Sequence, residues 1–173
     1  MGGAGAGKWD GTPMPILVRT MLERSGSLDE AKALLRDARR TCEYYYTVSD
    51  GQAGDAWTAA ATPEAVRFFG LGEKTLWLAE PIAGCTIVSG GARLTALADR
   101  VRQGFGRFDA ASARKLMDHP VAARGGNLHN VLFVPQDLVM WVANARGRKD
   151  ACQETYYRYD LRALLKESAE AGR

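Results

Sequence analysis

Three short runs between Glu43 and Gly70 restrict the fold more than any other part of this chain. "EYYYTVSD" (43–50), "DAWTAAATP" (55–63) and "AVRFFG" (65–70) follow one another closely. The first is aromatic and β-branched, the composition of a strand. Asp50-Gly51 brings turn chemistry to its end. Parallel neighbours require a crossover of a dozen or more residues, usually a helix. No such segment separates these runs, so they are expected to pair antiparallel.

Helical spacing lies on either side. Pro13 and Pro15 suit the first turn of a helix, and Ile16, Leu17, Thr20 and Met21 then fall on one face. Ser27 and Glu30 have the spacing of a capping box, with Leu28, Ala31, Leu34 and Leu35 as the apolar stripe behind it. The two helices are expected to stack as a hairpin. After the strands, "GCTIVSGG" (84–91) reads as a further short buried strand. Leu94, Leu97, Ala98 and Val101 place a helix over 92–103, and Asp109 is a good N-cap for another over 110–117. "NLHNVLFV" (127–134) and "LVMWVANA" (138–145) flank the turn Pro135-Gln136-Asp137 and read as a hairpin. "YDLRALLKE" (159–167) reads as a closing helix and "SAEAGR" as a frayed tail. The expectation is one α+β domain over 1–173, with helices packed outside antiparallel sheets.

With 46% hydrophobic residues the chain can build a core. Its net charge of +3 is too small and too scattered for a nucleic-acid surface. No apolar run approaches the length of a membrane span. Cys42, Cys85 and Cys152 are odd in number and widely spaced, which fits neither a disulfide framework nor a zinc knuckle. With only His119 and His129 as imidazoles, no metal site and no cofactor is expected.

The opening "MGGAGAGKWDGTP" comes close to a phosphate-binding loop. That loop needs a serine or threonine after its Gly-Lys pair to hold magnesium. Trp9 stands there instead, and Asp10, Gly11, Thr12 and Pro13 delay the helix that should follow at once. Two readings remain. The glycines form a flexible terminus, or they let the backbone approach a substrate pocket while Lys8, Trp9 and Asp10 project into it.

"GKWDGTPMPILVRTMLERSGSLDEAKALLRDARRTCEYYYTVSD" (7–50) resembles the middle of the isopenicillin N acyltransferase-like family. This is the acyl-coenzyme A:6-aminopenicillanic acid acyltransferase branch of the N-terminal nucleophile hydrolases. The marks are the "PMPILVRTMLE" helix, the "SLDEA" helix start and the aromatic strand ending in Asp-Gly. "LMDHPVA" with "NLHNVLFVPQDLVMWVANA" resembles the family's late hairpin, and "TYYRYDLRALL" its C-terminal segment. The resemblance implies an αββα sandwich acting on an acyl amide or acyl-CoA substrate. The nucleophile would be an N-terminal cysteine whose own α-amine serves as base. The match begins inside the family's sequence, so that cysteine is expected to lie before Met1, on an upstream segment of the same protein.

Among the residues present, the resemblance points to Arg93 in "SGGARL" as a supporting catalytic group. Its fork could hold a carboxylate or an acyl oxygen, or it could be a solvated first-turn arginine. Lys8, Trp9 and Asp10 are the substrate-binding candidates. Gly84-Cys85-Thr86 looks like the family's cleavage site, yet too little chain follows Cys85 to make a whole domain. Cys42 and Cys152 read as small structural residues, and His129 as a strand histidine. The family's oxyanion asparagine has no counterpart, because no asparagine precedes Asn127. "GEKTLWLAEPIAG" offers Glu73, Lys74 and Glu80 in its place. A non-catalytic homologue that binds a ligand or a protein partner is the alternative.

Overall fold

A computed structural model describes residues 9–171. The chain groups into two compact units, Met1–Val88 and Ser89–Arg173. It is α+β, with two three-stranded antiparallel sheets.

In the first unit α1 (Met14–Arg24) and α2 (Leu28–Asp37) precede β1 (Tyr44–Asp50), β2 (Asp55–Ala61) and β3 (Val66–Gly70). Pro15 lies in the first turn of α1. Ser27 caps α2 by accepting from the Glu30 N–H at 3.2 Å. The expected reciprocal bond is displaced by one residue, since the Glu30 carboxylate accepts from the Gly26 N–H, 2.7 Å away. The Asp50 carboxylate accepts from Gln52 and Ala53 N–H groups and closes the β1–β2 turn.

One face of this sheet carries Tyr46, Trp57, Ala59 and Ala61. They form a core with Leu17 and Met21 of α1 and Ala31 and Leu35 of α2. Ile16, expected on the same face as Leu17, is exposed. Trp57 is the largest fully buried side chain. Its indole N–H donates to the Leu28 carbonyl at 3.3 Å, and Phe68 meets its ring edge-on. Burying each such side chain contributes about 1.5–3 kcal/mol. On the opposite face Trp77 packs edge-on against Tyr45 and Phe69, and the Thr86 hydroxyl meets that of Thr58 at 2.9 Å. The 84–91 run is therefore no strand. Gly84 adopts a positive φ of 69°, the Cys85 carbonyl accepts from the Gly72 N–H, and side-chain contacts rather than a ladder hold the segment to the sheet.

The second unit contains α3 (Gly91–Gly104), α4 (Ala110–Lys115), β4 (His129–Val134), β5 (Val139–Asn144), β6 (Tyr157–Asp160) and α5 (Leu161–Ala171). The β4–β5 hairpin turns through Pro135–Asp137, and Leu138 takes a left-handed φ of 55°. Arg100 of α3 donates to the carbonyls of Leu116, Asp118 and His119, fixing the chain after α4. The C-terminal expectation needs correction. Tyr159 and Asp160 belong to β6, and helix starts only at Leu161 because Asp160 accepts from the Arg162 and Ala163 N–H groups as its cap. The residues expected to fray extend that helix to Ala171. Among the described residues no helix is long and apolar enough to cross a membrane.

Candidate functional site

β4, β5 and β6 alternate, and their register places Leu132, Val134, Val139, Trp141, Arg158 and Asp160 on one face. α4 starts beside this face. Asp109 caps it by accepting from the Ser112 N–H at 2.7 Å, while the Ser112 hydroxyl accepts from the Asp109 N–H. From the far end of α4 the Arg114 guanidinium lies over the Trp141 ring at 4.5 Å and the Tyr156 ring at 5.4 Å.

Phe108, Ala110 and Ala113 form one wall of an open groove of about 620 Å³, with the apolar sheet residues as its floor. Its mouth is charged. Arg158 pairs with Asp160 at 3.1 Å, and Arg162 donates to the Asp137 carbonyl. The Asp160 carboxyl is held below its usual range, first by the Ala163 N–H and then by Arg158 and the Arg162 N–H. Asp109 is lowered as well, chiefly by Ser112. Both stay ionised at neutral pH. The groove offers apolar surface to a chain or ring and guanidinium donors to a polar end.

A polar network lies in the same unit. Asn127 donates to Asn130 at 2.7 Å, and the buried Asn130 donates to the Tyr156 hydroxyl at 2.9 Å. The Asn127 side-chain oxygen accepts from the Cys152 N–H. His119 Nε2 lies 3.2 Å from Asp150 Oδ2 and 3.6 Å from Cys152 Sγ, and its Nδ1 lies 2.9 Å from the Ala122 carbonyl. A thiol beside an imidazole is the outline of a nucleophile and its base, but the electrostatics oppose that role. Burial first, then Asp118 and Asp150, push the Cys152 thiol up. Asp150 also competes for the same imidazole nitrogen. Its own carboxyl is held down mainly by the Gly125 N–H, then by Asn127 and His119. At neutral pH the network holds a protonated thiol.

The residues singled out in the sequence are placed as follows. Lys8 lies outside the described residues. Trp9 is 99% exposed, and Asp10 forms an ion pair with Arg39. Arg93 occupies the first turn of α3, half-buried. Trp9 and Asp10 thus belong to the first unit and Arg93 to the second. Cys85 is half-buried, and burial pushes its thiol up. Glu73 accepts from the Gly70 N–H and closes a turn. His129 is exposed and bonded to the Asn144 side chain at 2.8 Å.

The groove and the network were not visible in the sequence. Asp150, however, stands three residues before Gln153, and this capping spacing closes the turn carrying Cys152. Among the described residues no group of three or more His, Cys, Asp or Glu side chains is arranged to hold a metal ion. No protein-family model, curated protein or solved structure matches the chain.

Proposed function

We propose that the chain is part of an acyltransferase or amide hydrolase of the N-terminal nucleophile kind, acting on an acyl amide or acyl thioester. In this reading the αββα sandwich is completed, and the nucleophilic cysteine supplied, by an upstream segment of the same protein. The observation that carries it is the groove. Its apolar floor of Leu132, Val139 and Trp141 suits an acyl group, and Arg158 and Arg162 at the mouth suit a carbonyl or carboxylate. Helix-backed antiparallel sheets support it at the level of architecture.

The test joins the chain to the coding residues preceding Met1 and assays N-acyl amides and acyl-CoA esters. Turnover is expected to need the preceding cysteine and to fall with Arg93→Ala and with Leu132→Arg. Turnover by the 173 residues alone, lost in Cys85→Ala, overturns it.

The second reading, a homologue that binds without catalysis, is favoured by the raised thiols of Cys85 and Cys152. It predicts ligand-dependent Trp141 fluorescence with no turnover in either form.

A further inference from the structure

Arg114 lies near the end of α4 with most of its hydrogen-bonding capacity unused. Its Nε donates to the Ala110 carbonyl at 3.0 Å. Its guanidinium lies 4.5 Å from the centroid of the Trp141 ring and 5.4 Å from that of Tyr156. The residue is half-buried, and among the described residues no acceptor meets either Nη. A guanidinium carries five N–H donors, so four are left over. Arg100 of α3, also half-buried, spends both of its Nη groups on carbonyls. One backbone bond and two aromatic rings fix the Arg114 fork in place. A fixed cation partly withdrawn from water attracts an anion more strongly than a solvated one does.

The groove adjoins this cation. Trp141 lines its floor, and Ala110 and Ala113 its wall, so the residues that hold Arg114 also bound the groove. The mouth is already balanced in charge. Arg158 is paired with Asp160, Arg162 donates to the Asp137 carbonyl, and the Asp109 and Asp137 carboxylates also line the groove. An anion therefore meets carboxylates on the Asp109 side of α4 and an unpaired cation on the other. We propose that the groove binds an amphipathic acid, with its apolar body over Leu132, Val139 and Trp141 and its carboxylate on the two Nη groups of Arg114. The planar fork matches the two oxygens of a carboxylate, and an apolar cleft with a polar group at one place is the usual form of a small-ligand site. Binding of this kind does not depend on acyl transfer by the chain, and the two fail separately.

Octanoate and octanamide share a tail and a shape and differ in charge. Each is titrated at pH 7 into the 173-residue chain labelled with nitrogen-15. Octanoate is expected to bind with a dissociation constant of roughly 1 mM, in keeping with its few atoms. Octanamide is expected to bind about ten-fold more weakly, because it makes no charge-assisted bond to the fork. The Arg114 Nε–Hε resonance, identified by its nuclear Overhauser contact with the Trp141 ring, needs no variant. It is expected to shift with octanoate occupancy. Arg114→Gln, with the circular dichroism of the parent, is expected to lose about ten-fold in octanoate affinity and to keep its octanamide affinity. Arg146→Gln, at an exposed arginine elsewhere in the unit, is expected to bind octanoate as the parent does. Absence of saturable octanoate binding up to about 20 mM overturns the proposal. So do equal affinities for the two probes, an Arg114 resonance that stays in place while octanoate saturates, undiminished octanoate binding by Arg114→Gln, and an equal loss in Arg146→Gln.

Discussion

The Arg40 guanidinium donates to the Thr62 carbonyl at 2.7 Å, tying the end of the second helix to the end of β2. Its Nη1 donates to the carbonyls of Leu35, Arg36 and Ala38, which the helix leaves unsatisfied. Arg40 is buried, and the three carbonyls that its Nη1 meets lie at the negative end of a helix dipole, where a cation is favoured. Arg40→Met strands those acceptors and is expected to destabilise the first unit by about 3 kcal/mol. Arg40→Lys recovers part of this, because an ammonium cannot reach both Thr62 and the helix end as a fork does. Urea unfolding followed by circular dichroism measures both. An unchanged midpoint for Arg40→Met contradicts the account.

Gly11 has a packing role. A Cβ on Gly11 would lie 2.6 Å from the Arg40 carbonyl carbon and 2.8 Å from the Thr41 nitrogen. The Thr12 N–H donates to the Arg39 carbonyl beside this contact. Gly11 lets two backbones touch, and Gly11→Ala is expected to cost about 1–3 kcal/mol, as overpacking does. Magnesium-ATP is expected to leave the melting temperature of the parent chain unchanged, since Trp9 holds the place of the magnesium-binding hydroxyl. A saturable shift refutes that part.

Features encoded locally were legible in the sequence. Ser27 and Asp109 cap the helices they announce, and the strands of both hairpins lie within a residue or two of their expected limits. Local signals failed where tertiary contacts decide. "GCTIVSGG" has the composition of a strand, but it meets its sheet through Thr86 and Thr58 rather than through a ladder. β6 is four residues long and runs directly into α5, so the helical pattern of α5 hid the strand before it. The pairing of His119 with Asp150 and Cys152 spans about thirty positions and arises only when the chain after α4 meets the turn after β5.

Asp150 gives the second unit an acid limit. Its folded pKa is lowered, so its contribution is present above the unfolded value of about 3.9 and is lost as pH falls through the lower folded value. Asp150→Asn removes the carboxylate that accepts from Gly125 and Asn127. The variant is expected to be less stable than the parent at pH 6, with the gap closing below about pH 4. A gap of constant size across that range would mean that the carboxylate charge contributes nothing.

The same carboxylate also acts on the Cys152 thiol, after burial and Asp118. Burial, Asp118 and Asp150 all disfavour the thiolate, and the thiolate is the species that alkylates. Iodoacetamide at pH 8 is therefore expected to modify Cys152 several-fold more slowly in the folded chain than in urea, where a free thiol titrates near about 8.5. Asp150→Asn takes away one negative charge and leaves His119 Nε2 to Cys152 alone. Its folded-state alkylation is expected to be faster, with the midpoint of the rate against pH moved down. A midpoint that moves down but stays above that of a free thiol separates electrostatics from loosening, because a locally opened chain would react with the midpoint of a free thiol. Cys85 lies in the other unit, and its rate is expected to be unaffected. Equal rates for Cys152 folded and in urea would show that the thiol is not held protonated, and Cys152 would then have to be considered as a nucleophile.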